Sequence, residues 1–155
     1  MIRLSRPSDL TELDALFARA YPALLKADYP PSVLVTALPI ISRANPRLVG
    51  SGTFRVAEED GRIVAAGGWT RRQRRGGEVR HVVTDPAHLR RGHAGAILRA
   101  CMIEARAAGI RAMTAMSTRT AVPFYAALGF EALGEEEVML ARAIAFPAVR
   151  MVRRL

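Results

Sequence analysis

A short basic segment that follows a strand-like run is the part of this sequence best suited to binding an anion. The run ends at residues 82–84, and residues 90–95 open an apolar helical pattern with two arginines and two glycines. Small residues let a backbone approach a phosphate closely, and the free N–H groups and positive dipole end of a helix start attract negative charge. The segment therefore predicts a phosphate-binding loop. Its glycine spacing fits neither a Walker loop nor a dinucleotide-binding fingerprint.

Three other side chains are candidates for proton transfer. Glu78 and His81 lie on the strand that leads into the basic segment, and strand alternation predicts that they face opposite sides of the sheet unless a bulge intervenes. Tyr125 lies in the run Phe-Tyr-Ala-Ala-Leu-Gly-Phe at residues 124–130. A tyrosine with an ordinary pKa near ~10 is protonated at neutral pH and can donate a proton. Tyr125 is therefore a candidate acid, and Glu78 or His81 a candidate base, although a structural role would also explain His81.

The chain pattern positions these residues in a mixed sheet covered by helices. Its order is a strand, helices, a hairpin, a strand, a helix, a strand, a short helix and two strands. Because crossover and hairpin connections both occur, the fold class is α/β with strands of mixed direction. Ser8 or Asp9 is the expected cap of the first helix. We expect residues 71–77 to form a flexible loop and the last two strands to lie near residues 138–140 and 149–152.

Composition limits the kind of protein. With 155 residues, 50% of them hydrophobic, the chain fits one domain over residues 1–155. Cys101 is the one cysteine, which excludes an internal disulfide and a cysteine-rich zinc site. The net charge of +9 favours anionic partners, but almost all the basic residues are arginine, which indicates biased codon usage more than a nucleic-acid surface. Since no apolar run could span a bilayer and the first residues lack a secretory signal, we expect a cytoplasmic protein with no membrane partner.

Two motifs resemble those of the GNAT superfamily of N-acetyltransferases. The segment Leu-Arg-Arg-Gly-His-Ala at residues 89–94 is similar to the coenzyme A loop of that family, Gln/Arg-x-x-Gly-x-Gly/Ala. Gly92 and Ala94 match this pattern and Leu89 departs from it. Residues 124–130 resemble the family signature Phe-Tyr-x-x-Leu-Gly-Phe. The two motifs stand in the family's order, and the element order is similar over nearly the whole chain.

The resemblance implies a fold and an activity. The fold would be the GNAT acyltransferase fold, a central mixed, mostly antiparallel sheet of about six or seven strands flanked by about four helices. The activity would be direct transfer of an acetyl group from acetyl-CoA to a primary amine in a ternary complex, with no metal. The acceptor would be a small-molecule or peptide amine, with no specific nucleic acid, and the chain could form a homodimer. A coenzyme A-binding sensor without turnover is the alternative, because Leu89 and Thr118 depart from the family pattern.

The resemblance also assigns roles to residues. Tyr125 would donate a proton to the departing thiolate, and Glu78, His81 or an ordered water would accept the proton of the amine. A backbone N–H on the strand that ends at Thr84 would stabilise the developing oxyanion. The positions that would bind the cofactor are Val82, Val83, Thr84, Arg90, Arg91, Gly92, His93, Ala94, Gly95 and Thr118.

Overall fold

The computed structural model describes residues 1–141 and 143–155, and over these it contains seven strands and five α-helices. The strands are β1 (Ile2–Leu4), β2 (Phe54–Glu59), β3 (Arg62–Gln73), β4 (Gly76–Thr84), β5 (Ala112–Ser117), β6 (Glu131–Ala141) and β7 (Ile144–Arg154). The helices are α1 (Leu10–Leu25), α2 (Pro31–Ile41), α3 (Pro46–Val49), α4 (His93–Ala107) and α5 (Val122–Ala127).

All seven strands of the described residues form one sheet in the order β1-β2-β3-β4-β5-β7-β6. Neighbouring strands are antiparallel except for β4 and β5, which are parallel and are joined by a crossover through α4. The expected α/β class and the mixed, mostly antiparallel sheet are therefore confirmed. The one-turn helix α3, which starts directly after Asn45, is an element that the sequence pattern did not predict.

The ladder between β4 and β5 is short. It pairs residues 76–78 with residues 112–114 and then stops, although β4 continues to Thr84 and β5 to Ser117. Beyond that point no sheet hydrogen bonds join the two strands. The middle of the sheet therefore contains a gap, which opens towards the carboxyl ends of the parallel pair.

Helices cover both faces of the sheet. On one face α1 and α2 bury an apolar stripe that includes Leu13 and Phe17. On the other face α4 buries Ile97 and Leu98 in a core that also contains Tyr125 of α5. Each such side chain contributes about 1.5–3 kcal/mol on burial, so packing on the sheet stabilises these helices more than helix propensity does. None of the described helices is both long and apolar enough to cross a membrane.

The hairpins are longer than the sequence pattern predicted. The expected flexible loop at residues 71–77 is wrong, because β3 runs to Gln73, β4 begins at Gly76, and a tight turn joins them. Strands β6 and β7 also extend well beyond the predicted short segments and pair along most of their length. These strands contain many charged and small residues, so they lack the apolar alternation that predicts a strand. Pairing with a neighbouring strand nevertheless satisfies their backbone groups.

A β-bulge in β4 changes which side chains share a face. Between two regular pairs with β3, the single residue Gly67 stands opposite both His81 and Val82. His81 has a φ of +47°, in the left-handed region. The extra residue reverses the alternation, so Glu78 and His81 both lie on the face that α1 covers. The expected placement of Glu78 and His81 on opposite faces is therefore wrong, because that expectation holds only for a regular strand.

An ion-pair cluster fixes the start of α1. Arg3 Nη1 and Nη2 donate to the carboxylate of Asp9 at 2.8 and 2.9 Å, and the N–H of Arg6 donates to it at 2.7 Å. Arg3 also pairs with Glu58 of β2. Asp9 precedes the helix as expected, but its carboxylate binds Arg3 and Arg6 instead of capping an N–H of α1. Its hydrogen bonds with Arg3 hold the pKa of the Asp9 carboxyl below its usual value.

Asp9→Asn should destabilise the fold by about 1–3 kcal/mol at neutral pH, because it removes a partly buried charge partner of Arg3. A carboxyl whose pKa is lower in the folded chain stabilises the fold above its unfolded value of 3.8, and this contribution is lost as the pH falls through the folded value. Urea unfolding from pH 7 to about pH 2 should show the difference between native protein and variant shrinking towards acid. Asp60→Asn, in the exposed turn after β2, should change stability little. A difference for Asp9→Asn that is independent of pH would contradict the ion-pair explanation.

Candidate active site

The gap between β4 and β5 opens into a cavity of about 530 Å³. Both strands, the helices α1, α2 and α5 and the β6–β7 hairpin contribute to its walls, which are mostly apolar. An apolar cavity with a few convergent polar groups is typical of a ligand site. The polar side chains that line it are Tyr21, Arg72, Glu78, Arg80, His81, Thr84, Ser117, Thr118, Thr120 and Tyr125.

The predicted strand residues form one wall of this cavity. Val82, Val83 and Thr84 all line it. Beyond Glu78, the edge of β4 that faces β5 has no sheet partner. Backbone N–H and C=O groups on that edge can therefore bind an extended ligand arm, as an added strand binds the free edge of a sheet.

The basic segment lies at the start of α4, next to the cavity. Gly92 is the residue before the helix, with a φ of +81°, and Arg90 also lies in the left-handed region at +63°. The N–H groups of the first helical turn have no partner within the helix, and no described side chain caps them. A Cβ at Gly92 would meet no described atom within 4 Å. Because Leu89 and Ala94 line the cavity, these N–H groups border space that an anion could occupy.

Glu59, at the end of β2, ties two of the predicted cofactor residues to the sheet. Arg91 Nη1 lies 2.8 Å from Glu59 Oε1, and His93 Nε2 lies 2.7 Å from Glu59 Oε2. The hydrogen bond with His93, together with that from Arg91, holds the pKa of the Glu59 carboxyl below its usual value. Among the described residues Arg90 has no carboxylate partner, so its guanidinium is available to an anionic ligand. The contact between His93 and Glu59 was not predicted from the sequence.

Gly95 and Thr118 complete the set of predicted cofactor positions. Gly95 lies in the first turn of α4, and a Cβ there would be 3.4 Å from Arg99 Nη1. Arg99 therefore brings a further positive charge close to the loop. Thr118 follows β5 and lines the cavity, but its Oγ1 accepts a hydrogen bond from the N–H of Ala121 at 3.2 Å. The hydroxyl of Thr118 thus stabilises the turn that leads into α5.

Tyr125 lines the cavity from α5. Its ring is buried and packs edge-on against Phe124 and Phe130, with centroid separations of 5.1 and 5.3 Å. Burial raises the pKa of its hydroxyl above the usual value of 10.0. The hydroxyl is therefore protonated throughout the physiological pH range, as a proton donor must be.

Glu78 reaches the cavity from β4. Arg72 Nη1 donates to Glu78 Oε2 at 2.8 Å, and the carboxylate is mostly buried while the arginine is exposed. The same glutamate borders a smaller cavity of about 150 Å³ together with Arg72 and Arg150. The ion pair thus holds the carboxylate at the junction of the two cavities.

His81 lies on the same face as Glu78 but in a different environment. Its ring stacks on Phe17 with a centroid separation of 5.4 Å, and its Nδ1 lies 3.2 Å from the hydroxyl of Tyr21. Burial, with a smaller effect from the positive charge of Arg80, lowers the pKa of His81 to about 4. The imidazole is therefore neutral at physiological pH and accepts protons only weakly.

Five polar residues that line the cavity were not among the predicted catalytic and cofactor positions: Tyr21, Arg72, Arg80, Ser117 and Thr120. Tyr21 lies on the buried stripe of α1, where core packing is the simpler expectation. Arg80 lies two residues after Glu78 on the same strand, so strand alternation alone would have placed both side chains on one face. The sequence therefore carried a signal for Arg80, whereas for Tyr21 it favoured core packing over a place in an acceptor pocket.

Comparisons with known proteins agree with the geometry. The family described as acetyltransferase (GNAT) domain matches residues 31–147. No curated protein matches the sequence significantly. A GCN5-related N-acetyltransferase structure from Rhodopseudomonas palustris has a TM-score of 0.81 at 18% identity, covering 100% of this chain and 95% of that chain.

Two further solved structures share the fold. The PaiA N-acetyltransferase from Thermoplasma acidophilum has a TM-score of 0.73 at 12% identity, covering 100% of this chain and 98% of that chain. N-acetylglutamate synthase from Neisseria gonorrhoeae has a TM-score of 0.69 at 21% identity, covering 100% of this chain but 35% of that chain. At these identities the likeness establishes a common fold.

The resemblance drawn from two sequence motifs is thus confirmed at the level of the family. The matched residues 31–147 contain both motifs, the whole of β4 and β5, and most of the cavity wall. A match of this length covers most of the chain. On this evidence the chain belongs to the GNAT acetyltransferase family and is an N-acetyltransferase.

Proposed function

We propose that this enzyme transfers an acetyl group from acetyl-CoA to a primary amine by direct attack, with both substrates bound in the gap between β4 and β5. The observation that carries the proposal is a single cavity that joins the free edge of β4 at residues 82–84 to Tyr125 and Glu78. Direct attack is favoured because Cys101 is fully buried in the core, and burial raises the pKa of its thiol to about 11. That thiol is unsuited to forming an acetylated enzyme.

The residues at the start of α4 fit coenzyme A. The first-turn N–H groups, the open space at Gly92 and the guanidinium of Arg90 would hold a pyrophosphate, and the edge of β4 at residues 82–84 would hold the extended arm. The PaiA and N-acetylglutamate synthase structures both contain coenzyme A, which supports this assignment. When bound, acetyl-CoA supplies the activated acetyl group as a thioester.

Tyr125 would supply the proton that the departing sulfur needs. Tyr125 lines the cavity, and burial keeps its hydroxyl protonated. The packing of its ring between Phe124 and Phe130 fixes the direction of the hydroxyl. A backbone N–H of residues 82–84 would stabilise the negative charge that develops on the carbonyl oxygen.

Glu78 would accept the proton of the amine, directly or through a water molecule. The bulge places Glu78 and His81 on the same face, so position alone does not separate these two candidates. A neutral imidazole with a pKa of about 4 is a weak base, and the Nδ1 of His81 already faces the hydroxyl of Tyr21. We therefore assign the base to Glu78 and a positioning role to His81.

Gly92→Glu should prevent coenzyme A binding, because the new side chain brings bulk and negative charge into the phosphate site. Titration calorimetry should show micromolar binding of acetyl-CoA to the native protein and at least about tenfold weaker binding to the variant. Gly109→Glu is the matched control, since Gly109 also has a left-handed φ, +88°, but lies at the opposite end of α4. Absence of binding to the native protein would overturn the proposal, and binding with no transfer to any amine would support a coenzyme A sensor.

Tyr125→Phe should lower kcat by about 10²–10⁴-fold across the working pH range, because it removes the proton donor and keeps the packed ring. Its affinity for acetyl-CoA should match that of the native protein. Thiol release and calorimetry would measure the two quantities. Tyr29→Phe removes another buried hydroxyl, which donates to the carbonyl oxygen of Pro147 and accepts from the N–H of Arg119. Neither partner lines the cavity, so this control should leave kcat nearly unchanged. Full activity of Tyr125→Phe would exclude Tyr125 as the acid while leaving the cofactor site intact.

Glu78→Gln should lower kcat/KM by about 10²-fold or more, because it removes the proton acceptor and keeps the size of the side chain. Arg72→Gln separates the base from its ion pair, because it removes the partner and keeps the carboxylate. We expect this second variant to lose much less activity than Glu78→Gln. If Glu78→Gln keeps the kcat/KM of the native enzyme, the base is another group, and His81→Asn would then be the next variant to measure.

A further inference from the structure

The part of the cavity walled by α1, α2 and the β6–β7 hairpin is the space left for the acceptor amine, given the proposed acetyl transfer. Its apolar lining consists of Leu24, Leu25, Ile41, Val138, Leu140 and Phe146. The charged residues that line the cavity lie on β3 and β4. An acceptor must therefore match an apolar wall and a small number of fixed charges.

The charges differ in whether a partner neutralises them. Arg72 and Glu78 form an ion pair at 2.8 Å. Arg150, in the adjoining smaller cavity, is bound by two hydrogen bonds to a glutamate of β6. Within residues 1–141 and 143–155, Arg80 contacts Thr70 Oγ1 at 3.4 Å and has no carboxylate partner. Arg80 is thus an uncompensated positive charge on the wall of a mostly apolar cavity.

The position of Arg80 is fixed by the sheet. Arg80 pairs with Gly68 across the β3–β4 ladder and lies on the same face as Glu78. The residue is half-buried. Its charge also reaches the neighbouring imidazole, where it contributes to lowering the pKa of His81. A guanidinium has five N–H donors, and one long contact to a hydroxyl leaves most of them for an anion.

We propose that the acceptor is a small amine that carries a carboxylate and an apolar body, such as a free amino acid with a hydrophobic side chain. Arg80 binds the carboxylate, the apolar wall covers the body, and Glu78 receives the amine. Glu78 and Arg80 are alternate residues of one strand, about 7 Å apart along the backbone, so their side chains can reach the neighbouring amine and carboxylate of one amino acid.

The chemistry of the site favours a carboxylate over other anions. One guanidinium balances one negative charge, whereas a phosphate dianion would bring a second charge into an apolar space at considerable cost. The cavity of about 530 Å³ must also hold the end of the cofactor arm. The remaining volume suits a small molecule.

The test compares amines that differ only in the carboxylate. L-Leucine, L-methionine and L-phenylalanine are assayed with acetyl-CoA beside their carboxamides, which keep the apolar body and lose the charge. A carboxamide also changes the pKa of the neighbouring amine, so the two compounds differ in reactivity. For each enzyme we therefore take the ratio of kcat/KM for the acid to kcat/KM for its amide. The measured quantity is this acid-to-amide ratio in the native enzyme divided by the same ratio in each variant. This quotient cancels the intrinsic reactivity of the amines.

Arg80→Gln should lower the acid-to-amide ratio by about tenfold or more, mainly through KM, because only the acids lose a charged partner. Arg80→Lys should retain part of the ratio, since it keeps the charge without the planar fork. Arg154→Gln, at an exposed arginine at the end of β7, is the matched control and should retain all of it.

Two kinds of result would overturn the proposal, and only the second would also overturn the proposed acetyl transfer. If Arg80→Gln leaves the ratio unchanged, or if peptide amines alone are acetylated, the carboxylate assignment is wrong and the acetyl transfer stands. If the native enzyme neither binds acetyl-CoA nor acetylates any amine, the proposed function fails together with its substrate class.

Discussion

The early end of the β4–β5 ladder is the constraint on which the site depends. A parallel pair that continued to the ends of both strands would close the sheet and fill the space that the cavity occupies. Here pairing stops after residues 76–78, and a bulge at His81 and Val82 adds a residue to β4. Bulges increase the local twist of a strand, which turns its end away from a regular neighbour. The gap thus results from the local geometry of one strand.

Gly67 makes that geometry possible. A Cβ at Gly67 would lie 3.0 Å from Cγ2 of Val82 and 3.2 Å from Cγ2 of Ile97, closer than ordinary van der Waals contact. Without a side chain at Gly67, the bulged segment of β4 can pack between β3 and α4. The bulge has two consequences, since it leaves the backbone of residues 82–84 facing a gap and brings His81 to the face of Glu78. The proposed cofactor binding and the proposed acid–base chemistry therefore depend on the same extra residue.

The sequence predicted what is local and missed what depends on tertiary contacts. The glycine-bounded start of α4, the edge strand at Ile2–Leu4 and the short helix with Tyr125 each follow from residue types within a few positions. The bulge at His81 could not be predicted, because Gly67, which leaves room for it, lies on another strand. The same holds for Glu59, whose partners Arg91 and His93 lie more than thirty positions along the chain, at the start of α4. Residues 71–77 were predicted as a loop because they are rich in arginine and glycine. They form the ends of β3 and β4 and a short turn instead, because strand pairing uses backbone groups, which charged residues also have.

The position of Arg80 indicates the kind of ligand more specifically than the net charge of +9 does. The chain has 23 basic and 14 acidic residues, so many arginines must lack an acidic partner, and most of them lie on the surface. Arg80 differs because it lines a mostly apolar cavity beside a glutamate that already has a partner. In the proposed site, strand β4 presents two surfaces, its free edge to the cofactor arm and its α1-facing side to the acceptor. Because one strand holds both surfaces, the sheet sets the distance between the cofactor arm and the acceptor. Substitutions in the apolar wall can therefore alter which acceptor binds without moving the cofactor.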